Sequence, residues 1–391
     1  MKLVVIGLGQ CGGRIADEFA RMNRKAQSQR GIEIVPSAFA INTDIADLSG
    51  LKRIKPDYQH RILIGGRKTG GHGVGKINEL GAEVAKEDAD KVVDSIRTTK
   101  RLSEADAFLL IAGAAGGTGS GAMPVMTQYV KERFADKPAY SLVVLPFEHE
   151  EETEERTIYN AATCLKSTYL VADAVFLVDN QRYISKDSSL RTNLANINTR
   201  IAEPFYNLLC AGEEKKPKYI GSKLLDAGDI IQTLVGWTTI GYSKSHLSIF
   251  KFLFERARDF RNKATETQKG VQAMDEAVSR ISLRCKSIDS RRALYLISAP
   301  AKEMNVDLIK ELGVHLKTLA PEAIIRSGDY PRDRGSIDVS LILSELSDVA
   351  KVRSYFTKTL SLISSIKKRQ EGIETERLGI DVTLKDIPSL L

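Results

Sequence analysis

The sequence predicts an α/β protein: a parallel, Rossmann-like sheet with helices on both faces, a long central helix, and a smaller α/β C-terminal domain. Three observations carry this. Short apolar runs alternate with stretches of helical periodicity from residue 2 to residue 178, the pattern of βαβ units. Glycine-rich loops follow three of those runs, and in such sheets ligands sit at the carboxyl ends of the strands. One long striped segment, marked by Leu194, Ile197, Ile201, Phe205 and Leu208, separates this half from a different pattern beyond it. The implied division is 1–190, a connecting helix over 191–212, a second domain over 213–368, and a tail over 369–391.

Taken in order, Lys2 to Ile6 is a short apolar strand, and Ile15, Phe19 and Met22 recur at helical spacing behind it. Ile34 to Ile41 and Arg61 to Ile64 read as strands, and Asn78 to Arg97 as one helix. Phe108 to Ala112 and Ser141 to Leu145 are strands on either side of a helix from Met123 to Phe134. Ala161 to Val171 is helical and Ala174 to Val178 is a strand. Pro204 is a kink point in the long helix, and a looser loop spans Ala211 to Lys218. Beyond it, Leu247 to Arg261 and Val271 to Ile281 read as helices. Ala293 to Ser298, Ala323 to Ser327 and Ile337 to Leu343 read as strands, with a helix over Val306 to Leu319 and a last one over Val349 to Lys368.

Composition narrows the function classes. Hydrophobic residues make up 42% and charged residues 27% of 391, ordinary for a globular protein. No apolar run approaches the roughly 20 residues that span a bilayer, so direct membrane insertion is not expected. The opening MKLVVIGLGQ runs into a glycine motif without a small-residue cleavage site and reads as a first strand, not a signal peptide. Four scattered cysteines, without CxxC or metal spacing, suit a reducing cytoplasm and offer no metal site. The net charge of +7 comes from 57 basic and 50 acidic residues. That mixture is not a basic stripe, so nucleic acid is not an expected partner. The positive balance also argues against a host with high cytoplasmic salt.

The chemistry lies in the glycine loops. Gly113-Ala114-Ala115-Gly116-Gly117-Thr118-Gly119-Ser120-Gly121 stands between a strand and a helix, where backbone N–H groups and the helix N-terminus can meet phosphate oxygens. Gly7-Leu8-Gly9-Gln10-Cys11-Gly12-Gly13 fits G-x-G-x-x-G, the dinucleotide fingerprint. That alone leaves an NAD-dependent oxidoreductase as an alternative. Two features oppose it: Ala40-Ile41-Asn42-Thr43-Asp44 places no clean acid at the end of the second strand, and a simple dinucleotide domain has no use for a second loop so rich in glycine. Gly65-Gly66-Arg67-Lys68-Thr69 lacks the Walker A order. A third segment, Thr69-Gly70-Gly71-His72-Gly73-Val74-Gly75, lies between the other two. Each could be a tight turn; three on one sheet indicate a polyphosphate held from several sides.

These residues resemble the tubulin/FtsZ superfamily, most closely its archaeal CetZ branch, over about the first 245 residues and more weakly beyond. Gly116 to Gly121 is similar to the superfamily signature loop. Gly9-Gln10-Cys11-Gly12 is similar to tubulin rather than to FtsZ, and Gly71-His72-Gly73-Val74-Gly75 with Asn78-Glu79-Leu80-Gly81-Ala82-Glu83 looks like CetZ. The resemblance implies a GTPase domain that binds GTP or GDP with Mg2+. Gln10 and Cys11 would lie against the α- and β-phosphates. Asn42 to Asp44 and Gly71 to Gly73, His72 included, would sense the γ-phosphate and its magnesium. Gly116, Gly117, Thr118, Gly119 and Ser120 would wrap the phosphates. Asn180 and Asn198 would hydrogen-bond the guanine edge, since an amide offers both donor and acceptor; read without the resemblance, either is a cap or surface residue. Glu152 and Arg156, in a run of charges after the strand ending at Leu145, are the ribose candidates, with a solvated loop as the other reading.

Leu225-Asp226-Ala227-Gly228-Asp229 resembles the superfamily's catalytic loop. Acids three apart share a helix face, and helix capping is the local alternative. In the family such acids complete the site of the next subunit, so the chain would be its own partner, polymerising head-to-tail. FtsZ carries an Asn before this pair, where this chain has Lys223 or Leu224. Cys11 has no partnered base for nucleophilic work, and His72 reads as a packing residue. Asp386-Ile387-Pro388-Ser389-Leu390-Leu391 is similar to the peptide by which FtsZ meets membrane adaptors, without a long linker before it. The implied role is a cytoskeletal GTPase in cell shape control, in the cytoplasm. A non-hydrolysing GTP-dependent scaffold is the alternative.

Overall fold

The computed structural model describes residues 1–99, 101–184, 190–246, 260–304, 306–333 and 335–363, the side chains of 190–191 and 260–267 apart. The first half alternates strand and helix. It runs β1 (Leu3–Leu8), α1 (Gly9–Arg30), β2 (Ser37–Asn42), α2 (Ile45–Ser49), β3 (Arg61–Leu63), α3 (Gly66–Thr69), α4 (Asn78–Glu87) and α5 (Ala89–Arg97). It continues with β4 (Ala107–Gly113), α6 (Thr118–Arg133), β5 (Ala139–Leu145), α7 (Glu148–Thr153), α8 (Glu155–Val171) and β6 (Ala174–Asp179). The long helix α9 (Leu190–Ala211) leads to α10 (Ala227–Thr233), β7 (Gly236–His246), α11 (Phe260–Ser279), β8 (Ser290–Ala299), α12 (Val306–Leu319), β9 (Ile324–Pro331) and β10 (Ser336–Leu346). A last helix, α13, covers 350–363.

The strands form one ten-stranded sheet in the order β3-β2-β1-β4-β5-β6-β7-β10-β8-β9. Among them only β10 runs against the rest. Alternate residues of each central strand face opposite layers. Val4, Ile6 and Leu8 join the layer of α4, α5, α6 and α8, while Leu3 and Val5 join α1 and α9. Both faces are buried, which is why these strands read as continuous apolar runs. Phe205 of α9 packs on Phe19 at 5.4 Å and on Phe176 at 5.2 Å between ring centroids, seating the long helix on the sheet.

Several boundaries differ from expectation, each for a local reason. The 78–97 helix is two helices, because the Asp88 carboxylate turns to accept the Gly65 N–H at 2.6 Å and the backbone breaks there. Ile34 and Val35 are not strand. Their N–H groups bond the Asn23 side chain, and Pro36 follows. Helix α6 starts at Thr118 rather than Met123 and α8 at Glu155 rather than Ala161. The charged run after Leu145 is helix α7, with its first turn closed by Glu150 on the Phe147 N–H. Strand β7 lies outside the apolar pattern of the sequence, and it joins the two halves. Its Gly236–Thr238 pairs with β6 in parallel and its Thr239–His246 with β10 in antiparallel. Of the expected helix over 247–261, residues 247–259 lie outside the described residues, as do 364–391 with the end of the last helix and the 386–391 peptide.

Candidate functional site

The strand order reverses between β1 and β4, and the loops after those two strands diverge there to open a cleft of about 480 Å³. Two helices begin at its floor, α1 after β1 and α6 after β4. Neither has a side-chain cap, and neither has an acid in its first turn. Their leading N–H groups are therefore left to a ligand, and both helix dipoles present their positive ends to it.

Of the residues expected in a phosphate and base site, the cleft gathers Gly9, Gln10, Cys11, Asn42, Asp44, Gly73, Gly116, Gly117, Thr118, Gly119, Asn180 and Asn198. Gly12, Gly71, His72 and Ser120 stand behind that lining. Gly12 packs on β4, and the Ser120 hydroxyl donates to the Gly116 carbonyl. His72 bridges to Asp44 through the backbone. Glu152 and Arg156 do not line the cleft. Arg156 pairs with Glu79 and donates to the Lys76 carbonyl, and from the same charged segment His149 and Glu150 face inward instead.

The lining is cross-linked. Gln10 Nε2 donates to Asp47 Oδ1 at 2.6 Å and Asn42 Nδ2 donates to Asp47 Oδ2 at 3.0 Å, so Asp47 ties the loop after β2 to the first turn of α1. Asp44 caps α2 through Oδ1 on the Asp47 N–H. The Thr43 and Thr118 hydroxyls bond at 2.6 Å in a buried position, joining that loop to α6. Burial pushes the Cys11 thiol up to about 12, with Glu150 adding to the rise. It is neutral at pH 7 and no nucleophile. At the far side Leu194 and Ile197 of α9 give an apolar wall beside Asn180 and Asn198, a surface that suits a flat base with a hydrogen-bonding edge.

Sequence reasoning missed Asp47, Arg14 and Lys76 in this lining. Asp47 follows Asp44 by three, the spacing of a capping pair. Arg14 lies four residues after Gln10, on the same helix face. Lys76 has a positive φ of 62°, which nothing local announces.

The acid pair is elsewhere. A Cβ built on Gly212 would lie 3.3 Å from the Asp226 Cα and 3.7 Å from the Met1 nitrogen, at the start of β1. The cleft is at the other end of that strand, roughly 20 Å away at about 3.3 Å per residue. Asp226 caps α10, accepting the Asp229 N–H at 2.9 Å. Asp229 does not reciprocate; its Oδ1 takes Arg326 Nη1 at 3.1 Å. Four consecutive residues of β9 hold this loop. Arg326 takes Asp229, and the Ser327 hydroxyl takes Lys223 Nζ at 2.7 Å. Gly328 leaves room for Leu225, and the buried Asp329 carboxylate accepts the N–H groups of Ser222 at 2.9 Å and Lys223 at 2.5 Å. Asp329→Asn sets an NH2 group against one of those donors. We expect amide exchange at Ser222 and Lys223 to quicken at least about tenfold, the loss of one buried hydrogen bond. Exchange at the cleft should not change. Unchanged protection at the loop would show that Asp329 does not hold it.

Comparison with known proteins agrees with this geometry. Residues 2–186 match the Tubulin/FtsZ family GTPase domain, and residues 187–360 match the C-terminal domain of tubulin-like CetZ, beyond the stretch where the sequence motifs alone carry the resemblance. The chain is 33% identical to tubulin-like protein CetZ1 of Haloferax volcanii over 370 residues, 90% of each chain. It is 32% identical to the CetZ of Pyrococcus abyssi over 96% of this chain and 94% of that one. Among solved structures, the GTPγS-bound protofilament of H. volcanii CetZ2 superposes with a TM-score of 0.81 at 28% identity, covering 94% of this chain and 100% of that one. Fold, cleft and both matched domains agree, and the chain belongs to the tubulin/FtsZ family, in its CetZ branch.

Proposed function

We propose that this chain is a cytoskeletal GTPase of the cytoplasm that binds GTP in the β1/β4 cleft, polymerises head-to-tail and hydrolyses the nucleotide between subunits, in the service of cell shape. The observation that carries it is the separation of the site: the phosphate cradle is at one end of the subunit and the acid pair at the other. Stacking copies head-to-tail brings the two together, and such a heterologous contact propagates. The GTPγS-bound protofilament of CetZ2 supports the same arrangement.

The cleft fits a guanine nucleotide. Gly116 has open space where a Cβ would stand, and the uncapped starts of α1 and α6 supply donors for phosphate oxygens. Asn180 and Asn198 would pair the base edge. Mg2+ keeps several waters and needs only one or two carboxylates beside the phosphates. Asp44, whose Oδ2 carries no hydrogen bond among the described residues, fits that role, and the ion would offset phosphate charge. The chain's own residues do the rest: the loops hold the phosphates in line, and Asp226 and Asp229 of the next copy orient the attacking water.

One observation favours a non-hydrolysing scaffold. Both acids already have structural partners, Asp226 as a cap and Asp229 with Arg326. Light scattering with phosphate release, across protein concentrations with GTP and Mg2+, separates the readings. We expect turnover per molecule to climb with scattering above a critical concentration. Scattering without turnover would favour the scaffold, and the absence of both scattering and turnover would overturn the proposal.

A further inference from the structure

Two neighbouring segments border the cleft, α7 and the turn that follows β6. His149 and Glu150 of α7 face the cleft, and Asn180 faces it from the turn. The acids beside them, Glu151 and Asp179, point instead to α13. The Glu151 side chain, 9% exposed, accepts the Tyr355 hydroxyl at 2.5 Å and Lys358 Nζ at 3.2 Å. Lys351 Nζ stands between the two acids, 3.6 Å from Glu151 Oε1 and 3.4 Å from Asp179 Oδ2. Lys351, Tyr355 and Lys358 recur at helical spacing and share one face of α13. Asp179 also caps the turn that carries Asn180, accepting the Gln181 N–H at 3.1 Å.

Glu151 and Asp179 are both largely buried, and one ammonium lies within 4 Å of each. Without it, two like charges would be left close together in a site of low dielectric, a costly arrangement. Lys358 cannot take over, because it is half exposed and reaches only Glu151 among the described residues. Repulsion would part α7 from the turn and draw Asn180 away from its place in the cleft. The phosphate loops have other supports, Asp47 on Gln10 and Asn42, and Thr43 on Thr118. Damage at Lys351 should therefore fall on the base and spare the phosphates.

We infer that Lys351 is a positioning residue for base recognition: by joining Glu151 to Asp179 it fixes Asn180 against the guanine edge, so that the last described helix sets which base the cleft accepts. The inference rests on the guanine reading of the cleft given above. Lys351 touches no part of the cleft lining except through these acids, and it comes from the second of the two matched domains.

The test is equilibrium dialysis of the full chain with labelled GDP and ADP, which share ribose and phosphates and differ in the base edge. Diphosphates keep turnover out of the measurement. We expect Lys351→Met, an unbranched side chain without the charge, to weaken GDP binding at least about fivefold and to leave ADP binding within twofold of wild type. Lys351→Arg keeps the charge and should restore the discrimination. Asp179→Asn still caps the turn but gives up the ion pair, and should reproduce the loss. The double variant should then be no worse than either single one by more than twofold, since both remove the same link. Equal losses for GDP and ADP would reduce Lys351 to a structural residue, and unchanged discrimination would leave it without a role at the base. Either result overturns the inference while leaving the GTPase reading standing. A wild-type chain with no preference for GDP over ADP would remove both.

Discussion

Asp226→Asn is expected to cut GTP turnover in the assembled state by about a hundredfold or more, with GTP affinity and folding stability of the free subunit unchanged. The magnitude is that of losing a positioned proton acceptor for the attacking water, typically 10²–10⁴ in rate. Asparagine is the right replacement because of what Asp226 does locally. Its Oδ1 accepts the Asp229 N–H and starts α10. Asparagine caps a helix about as well as aspartate, whereas alanine would give up roughly 1 kcal/mol of cap and confuse chemistry with stability. Asp229→Asn is a harder experiment, since Asp229 also faces Arg326 and its neutralisation leaves that guanidinium partly unpaired. Turnover should be measured per polymerised subunit, above the critical concentration of each variant. Full turnover in polymers of Asp226→Asn would assign the loop a structural role and favour the scaffold.

The residues that made the fold legible are those buried on both faces of the sheet. Strands β1, β4, β5 and β6 are continuous apolar runs, and each run ends within two residues of its strand. Strand β7 has the same central position but no such run. Beside Ile240 and Gly241 it buries Thr238, Thr239 and Ser243, hydroxyls that only tertiary structure satisfies: Thr238 with Ser344 at 2.8 Å, and Ser243 with the Ala273 carbonyl at 2.6 Å. A polar strand whose partners lie 30 and 106 residues away has no local signal.

The site divides in the same way. The glycine loops are local devices and announce themselves. Asp47 enters only because the chain folds Gln10 and Asn42 onto it, and Arg326 and Asp329 reach the acid loop from about a hundred residues downstream. Glu152 and Arg156 show the converse. A run of glutamates has no internal register, and the helix that forms there turns Glu150 toward the cleft instead.

Gly12→Ala is expected to destabilise the chain by at least about 3 kcal/mol and to abolish nucleotide binding in whatever remains folded. Glycine is required here by space, not by backbone conformation. A Cβ on Gly12 would meet the Ile111 carbonyl oxygen well inside 3 Å and its carbon at 2.8 Å, and both are backbone atoms of β4, in the middle of the sheet. Neither can move without breaking the ladder to β1 and β5. Overpacking a rigid site costs about 1–3 kcal/mol even where side chains can yield, and here none is in the way to yield. Helix α1 would have to lift off β4, carrying Gln10 and Cys11 with it and opening the phosphate cradle. Gly31→Ala is the control. Gly31 ends the same helix in the left-handed region, φ 72°, with nothing within 4 Å of a built Cβ. It should cost only the conformational strain, about 1–2 kcal/mol, and leave GTP binding intact. Urea unfolding and GTP titration of the two variants test the distinction. If Gly12→Ala proves no more costly than Gly31→Ala, close contact between α1 and β4 is not what that glycine secures.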